Sequence, residues 1–230
     1  VALGLGQLIT AIIDTLSGGN IFLMLVITAV TSLIIGMGLP TTATYIVMAS
    51  LTAPAIVEIG AFNDFIVPLM SAHLFCFYFG ILADDTPPVG LAAYAAAAIA
   101  KSPPIPTGLQ GFMYDIRTAI LPFMFIFNSD LILHNVYSWP QGLLIFAMAC
   151  FGNFAFASAT QGWFIAKNKL WEIPVFLCVT LTLMRPDLIA WLIGIPHDQR
   201  YWVYAIGMAI FALLYLVQRP RVPAPAIARA

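Results

Sequence analysis

Charged residues are scarce in this chain. Asp, Glu, Lys and Arg make up only 8% of its 230 residues, whereas soluble domains typically carry about 25%. Hydrophobic residues make up 62%, and the mean hydropathy is +0.97. A water-soluble protein of this length could not bury so much apolar surface. The composition therefore argues against an ordinary soluble domain and indicates a protein embedded in a lipid bilayer.

The chain also lacks the features of several other protein classes. Its net charge is −1 and no basic patch occurs, which argues against nucleic acid as a partner. Cys76, Cys150 and Cys178 lie in apolar runs without the spacing of metal ligands or of a disulfide framework, so they are predicted to be small buried or lipid-facing residues. No charged start or cleavage site of a signal peptide opens the sequence. We expect it to be part of a longer polypeptide.

Apolar runs of membrane-spanning length alternate with polar connections, which predicts an all-α polytopic membrane protein. The predicted segments are the end of a preceding transmembrane helix (1–19), a re-entrant helical hairpin (20–60), a broken transmembrane helix with the helix that follows it (61–135), additional C-terminal transmembrane helices (136–218) and a disordered cytoplasmic tail (219–230).

The hairpin prediction rests on two short apolar helices, the first capped by Asn20 and the second running from about Ala43 to Ile59, around the tip "GMGLPTT". Two full spans joined by a tight turn are the alternative. Most basic residues fall at alternate faces of the membrane, which should be cytoplasmic. That alternation holds only if residues 20–60 turn back within the membrane, so it favours the re-entrant hairpin. The residues that follow the pattern are Lys101, Arg117, Lys167, Lys169, Arg219, Arg221 and Arg229, whereas Arg185 and Arg200 are exceptions.

Two stretches interrupt apolar helices with helix-breaking residues, "GMGLPTTAT" (36–44) and "DDTPPVG" (84–90). An unsatisfied backbone group in hydrocarbon costs several kcal/mol, so irregular backbone survives only against protein or a water-filled cavity. Pro87 and Pro88 each oppose the carbonyl four residues earlier. Paired Gly/Pro-interrupted segments are the best sequence indication of a transporter's binding site. Two proline kinks without a ligand are the structural alternative.

A broken helix can bind ligands of both signs. Its upstream half offers free carbonyls to a cation, while its downstream half offers N–H groups and a positive dipole end to an anion such as a carboxylate. Threonine hydroxyls at both breaks add hard oxygen donors that suit sodium. The candidate substrate-binding residues are Thr41, Thr42, Thr44 and Pro88, and the candidate ion-binding residues are Gly36, Gly38, Thr86 and Gly90.

The adjacent carboxyl groups of Asp84 and Asp85 are costly at the centre of a bilayer, at roughly 2.5–3.5 kcal/mol each. We therefore predict both as proton-coupling candidates, because a carboxyl in a low-dielectric setting can hold a proton. N-capping of the downstream half is the structural alternative for Asp85. His73, about three turns before Asp84, either forms a relay or bonds to a neighbouring helix. Asp115 and Arg117 are predicted to be interfacial anchors.

Three blocks of the sequence resemble the large membrane subunit of tripartite ATP-independent periplasmic (TRAP) transporters. They are "SGGNIFLMLVITAVTSLIIGMGLPTTATYIV", "HLFCFYFGILADDTPPVGLAAYAAAAIA" and "TGLQGFMYDIRTAILPFMFIFN". The resemblance covers about residues 1–135 and is strongest to fused permeases, in which the small and large membrane subunits form one chain. Residues 140–230 are similar to the additional C-terminal helices of some fused permeases.

The resemblance implies a secondary importer of carboxylate-type solutes in the bacterial inner membrane, supplied by a periplasmic solute-binding protein. It also implies an elevator-type fold, of which this chain forms half of an inverted repeat. The N-terminal remainder would include the small-subunit helices. The family's usual driving ion is sodium, and no cofactor or enzymatic activity is implied. Asp84 and Asp85 stand where small or apolar residues are common in the family, so protons are an alternative coupling ion.

Two other classes of membrane protein are alternatives to a transporter. An intramembrane aspartyl protease needs two carboxylates on facing helices that share one proton, whereas Asp84 and Asp85 are adjacent in sequence. No serine–histidine or HExxH arrangement occurs. A channel would need rings of charged groups or carbonyls from several subunits, and the sequence does not distinguish that possibility from a transporter.

Overall fold

The computed structural model describes residues 5–87, 89–115, 118–134, 136–196 and 199–221, which form α-helices and short turns without a strand. The chain divides into two compact units, Val1–Ile132 and Leu133–Ala230. Within the described residues, three helices are long and apolar enough to cross a membrane, or four if one bent pair counts as a single span. The predicted all-α polytopic fold is therefore confirmed.

In the described residues of the first unit, eight α-helices pack around or beside α5. They are α1 (Leu5–Ser17), α2 (Ile21–Gly36), α3 (Thr41–Leu51), α4 (Ala53–Phe62), α5 (Leu69–Asp84), α6 (Leu91–Ala100), α7 (Pro104–Asp115) and α8 (Ile120–Phe127). Helix α5 contacts α2, α3, α4 and α8. Phe75 and Phe79 of α5 are buried, and their rings stack edge-on against Phe123 of α8 at centroid distances of 5.3 and 5.8 Å. Helix α5, which leads into the break, is thus the centre of the apolar core.

The two arms of the hairpin differ in length. Asn20 caps α2 as predicted, since its side chain accepts the backbone N–H of Leu23 at 3.0 Å. Helix α2 has 16 residues. Helices α3 and α4 are separated only by Thr52 and together form an apolar stretch of 22 residues, Thr41–Phe62. The second arm is therefore longer than predicted at both ends, and the re-entrant path of the hairpin stays a prediction.

The connection after α6 differs from the prediction. The sequence "KSPPIPTG" (101–108) is predicted to be a loop, but α7 begins at Pro104. Prolines are tolerated in the first turn of a helix because the N–H groups there have no intrahelical acceptor. Helix α6 ends at Lys101, which takes the left-handed conformation at φ 53°. The predicted helix from about Gly111 to Phe127 is divided between α7 and α8, and residues 116 and 117 lie outside the described part.

Four α-helices make up most of the described part of the second unit. They are α9 (Trp139–Gln161), α10 (Glu172–Met184), α11 (Pro186–Ile193) and α12 (Trp202–Gln218), followed by a 3-10 turn (Arg219–Arg221). The sequence suggests that α10 and α11 are one span, but they are bent by 100°. Arg185 at the bend has φ −131° and ψ 66°, because a proline at the next position disfavours the helical conformation.

A buried polar cluster at one end of this unit joins α12 to the start of α10. The carboxylate of Glu172 is fully buried and accepts hydrogen bonds from Gln218 Nε2 at 2.9 Å, from the backbone N–H of Lys169 at 2.8 Å and from Arg221. Gln218, also fully buried, donates to Asn168 Oδ1 at 2.9 Å. The C-terminal end of α12 is thereby held in place. Residues 222–230 of the predicted disordered tail lie outside the described residues.

Candidate functional site

The two interrupted segments lie side by side. Gly38, at the tip between α2 and α3, has φ +86°, and a Cβ there would lie 3.6 Å from Cγ1 of Val89 in the break between α5 and α6. A Cβ on Gly36 would lie 2.5 Å from the Cβ of Ala83 and 2.9 Å from Cγ2 of Thr44. The tip is thus in contact with residues on both sides of the aspartates.

Replacing Gly36 by alanine is expected to destabilise the first unit by about 1–3 kcal/mol, because the added methyl group overpacks a contact between three helices. Thermal unfolding in detergent, followed by circular dichroism, measures the effect. Gly111→Ala is the matched control, since no atom lies within 4 Å of a Cβ at that helical position. Equal melting temperatures for the two variants would contradict the close packing of tip and break.

The threonines predicted to bind ligands occupy different environments. Thr44 is buried, and its hydroxyl lies 3.3 Å from the carbonyl oxygen of Pro40. The Thr86 hydroxyl donates to the carbonyl of Leu82 at 2.7 Å. Thr41 is half-buried and Thr42 is exposed. A hydroxyl that donates its proton to a carbonyl keeps lone pairs for a cation, so Thr44 and Thr86 are still able to act as oxygen ligands.

The restart of the helix after the break leaves little room for a side chain. A Cβ on Gly90 would lie 3.1 Å from the carbonyl oxygen of Asp85, a distance that few real Cβ contacts reach. Gly90 occupies the N-cap position of α6 and has no side chain with which to cap it. The N-capping role considered for Asp85 stays a prediction. Pro88, the remaining predicted residue of the break, lies outside the described residues.

The two aspartates end the upstream half. Asp84 is the last residue of α5, and Asp85 caps it with a backbone N–H bond to the carbonyl of Leu82 at 3.3 Å. The carboxyl group of Asp85 lies close to that of Asp115, at the end of α7, so that the two groups interact electrostatically. We refer to Asp85 and Asp115 as the carboxyl pair.

The path of α7 explains how Asp115 reaches the break. Helix α7 packs along α6, and a Cβ on Gly108 would lie 3.3 Å from the Cβ of Ala93 and 3.9 Å from Cγ of Pro87. Asp115 follows Gly108 by two turns and meets Asp85. The sequence predicts Asp115 to be an interfacial anchor, and that role stays a prediction beside its closeness to Asp85. Sequence reasoning missed this partner because the continuous helix predicted from Gly111 onwards hid the packing of α7.

His73 bonds to a neighbouring helix, which is one of the two interpretations of its position. Its Nδ1 lies 3.0 Å from the hydroxyl of Tyr45 on α3, and the Tyr45 ring stacks edge-on against Phe77 at 5.6 Å. The pair joins the second hairpin arm to α5. It gives His73 a structural partner about three turns before Asp84.

A cavity of about 80 Å³ lies between the break, α6 and α7. We call it the α6–α7 cavity. Its lining residues are Asp85, Pro87, Gly90, Ala93, Tyr94, Pro104, Ile105 and Gly108. Asp85 is the one charged residue among them, and nearly all of the surface that faces the cavity is apolar.

Comparison with known proteins gives two family matches. The family described as "Tripartite ATP-independent periplasmic transporter, DctM component" matches residues 1–139. A domain of unknown function, DUF3394, matches residues 142–199. No curated protein and no solved structure gives a match. The first match covers more than half of the chain and includes both interrupted segments and the carboxyl pair. The chain therefore belongs to the family of the DctM component, the large membrane component of TRAP transporters.

Proposed function

We propose that this chain is part of a secondary active importer of carboxylate-type organic solutes in the bacterial inner membrane. It would receive its solute from a periplasmic solute-binding protein and would use a sodium or proton gradient. The observation that supports the proposal most directly is the contact between the hairpin tip and the helix break, with Gly38 only 3.6 Å from Val89 when a Cβ is added. Two helix interruptions that meet are the usual construction of a transporter's binding site.

Two helix N-termini support a carboxylate as the solute. Helix α3 begins after Pro40 and α6 begins after Gly90, and neither has a side-chain cap. The first-turn N–H groups and the positive dipole end of such helices favour an anion. Thr41 and Thr42 lie in the first turn of α3 and would add hydroxyl donors. We propose that the carboxylate group lies between these two helix ends.

Two kinds of coupling ion are compatible with the residues at the break. The hydroxyl oxygens of Thr44 and Thr86, together with backbone carbonyls, are ligands of the type that sodium takes. The carboxyl pair instead offers a proton site, since one shared proton changes the pair's charge by one unit. The other ionisable groups near it are Asp84, on the same element, and Tyr94, on the wall of the same cavity. The hairpin and broken helix would move together, as an elevator.

The proposal is tested with the intact permease, including its N-terminal remainder and small-subunit helices, reconstituted in liposomes with its solute-binding protein. Sodium and proton gradients are imposed separately, and uptake of a labelled organic acid is measured. We expect uptake only when the binding protein and at least one gradient are present. Equal uptake without any gradient would point to a channel and would contradict the proposal.

The carboxyl pair also bears on the protease alternative, because an aspartyl protease needs two neighbouring carboxyl groups. The cavity beside the pair measures about 80 Å³, whereas pockets that hold small-molecule ligands measure about 300–1,000 Å³. A peptide segment in extended form does not fit such a space. Cleavage of a peptide substrate by the purified permease in detergent, lost in Asp85→Asn, would overturn this conclusion.

A further inference from the structure

Three parts of the second unit meet at one end of it: the end of α9, the connection between α9 and α10, and the end of α12. The Asn168 side chain in the connection donates to the carbonyl of Ser158 on α9 at 2.8 Å. The backbone N–H of Ala166, also in the connection, donates to Oε1 of Gln218 on α12 at 3.2 Å. Gln218 in turn donates to Glu172 at the start of α10. The connection is therefore held in a fixed position against all three helices.

Four basic residues lie at this end of the unit, two on the connection and two on the 3-10 turn after α12. They are Lys167, Lys169, Arg219 and Arg221. Arg221 pairs with Glu172, and the other three are exposed. Among the described residues of this unit the remaining acidic residue is Asp187, which follows the opposite end of α10. We refer to this end as the basic end, because its four positive charges face a single negative one.

Large apolar side chains are exposed beside the two lysines. Leu170 and Trp171, which follow Lys169, are 88% and 51% exposed. Trp163 is 55% exposed and forms a short antiparallel bridge with Lys167. Tryptophan in membrane proteins is enriched at the level of the lipid headgroups, and lysine near a helix end extends its ammonium group towards them. The basic end therefore combines the two kinds of side chain that suit the boundary between hydrocarbon and headgroups.

We propose that the basic end binds the headgroup of an anionic phospholipid in the cytoplasmic leaflet. Lysine and arginine in excess mark the cytoplasmic face of a membrane protein. Clusters of about four to eight such residues next to a transmembrane helix on that face are the sequence pattern of anionic-lipid recognition. The lipid phosphate would lie against the ammonium groups of Lys167 and Lys169, and the acyl chains against Leu170 and Trp171. A free phosphate ion would use only the charges.

Native mass spectrometry of the intact permease in detergent tests the proposal. Dioleoylphosphatidylglycerol, which is anionic, and dioleoylphosphatidylcholine, which is zwitterionic, are titrated separately, and the dissociation constant of the most tightly bound lipid is measured. We expect phosphatidylglycerol to bind at least about fivefold more tightly. Lys167→Gln and Lys169→Gln should each weaken its binding about fivefold, which is the effect of one basic residue near an anionic lipid surface. The binding of phosphatidylcholine should stay unchanged.

Lys101→Gln is the matched control, because Lys101 is also an exposed lysine at a helix end but lies in the first unit. This variant should bind phosphatidylglycerol as the wild type does. Lys169→Arg keeps the charge and should keep the affinity. Leu170→Ser should lower the affinity for phosphatidylglycerol, because it removes an apolar contact with the acyl chains and leaves every charge in place.

Equal affinity for the two phospholipids in the wild type would overturn the proposal, and so would an equal loss in Lys101→Gln and Lys169→Gln. Displacement of bound phosphatidylglycerol by an equal concentration of inorganic phosphate would also overturn it, because the site would then take a free anion rather than a lipid. The titrations contain no solute and no ion gradient. Failure of uptake in liposomes would therefore contradict the proposed function alone and leave the lipid site standing.

Discussion

Replacing Arg221 by methionine is expected to destabilise the C-terminal unit by about 3–5 kcal/mol. Arg221 donates through both terminal guanidinium nitrogens to Glu172, whose carboxylate is fully buried. Methionine keeps part of the side chain's apolar volume but removes its charge, which leaves the carboxylate away from water without a counter-charge. All five tryptophans lie in this unit, so the denaturation midpoint from tryptophan fluorescence reports on it directly.

Two further variants separate the lost charge from the lost packing. Arg219→Met is the matched control, because Arg219 lies on the same 3-10 turn and is exposed. The double variant Glu172→Gln, Arg221→Met removes both charges and should be more stable than Arg221→Met alone. Replacing a buried ion pair as a whole often costs less than removing one partner. The prediction is wrong if Arg221→Met and Arg219→Met unfold at the same denaturant concentration.

The positions of the helix breaks could be predicted from the sequence because proline and glycine act on their own backbone. Pro87 removes a hydrogen-bond donor wherever it stands, and Gly90 marks the restart of α6. The bend after α10 was missed because an apolar run of adequate length continues through Arg185 and Pro186. The length and mean hydropathy of a segment depend only on how many apolar residues follow one another. Neither quantity reflects that the residue before a proline leaves the helical conformation.

Contacts between residues far apart in sequence were not predictable in the same way. Glu172 and Arg221 are 49 residues apart, and each alone is typical of a membrane-surface residue. Asp115 was predicted to lie at the interface because a charged residue near a helix end usually does. Its contact with Asp85 depends on α7 turning back along α6, which in turn depends on a helix that begins with Pro104. The start of α7 at Pro104 was not predicted, and for that reason the closeness of Asp85 to Asp115 was not predicted either.

Uptake driven by a proton gradient is expected to be lost in both Asp85→Asn and Asp115→Asn, falling to the level measured without a gradient. Asparagine has the shape of aspartate but cannot bind or release a proton at neutral pH. Asp84→Asn is the matched control, since it removes an adjacent carboxyl group of the same chemistry and should retain most of the activity. Uptake is measured in liposomes with the solute-binding protein, and each variant is also tested under a sodium gradient.

These substitutions separate a proton carrier from a structural contact because an asparagine amide can donate a hydrogen bond to the remaining carboxylate. The contact between the break and α7 is thus kept, while the substituted position can no longer bind or release a proton. If the carboxyl pair works as a unit, the double variant Asp85→Asn, Asp115→Asn has the same proton-driven uptake as either of its single variants. Groups that act together have non-additive effects. A sodium-driven rate that survives in all three single variants would assign coupling to the threonine and carbonyl ligands. Loss of the same size in Asp84→Asn would contradict the pairing, because it would show that charge near the break matters more than the contact with Asp115.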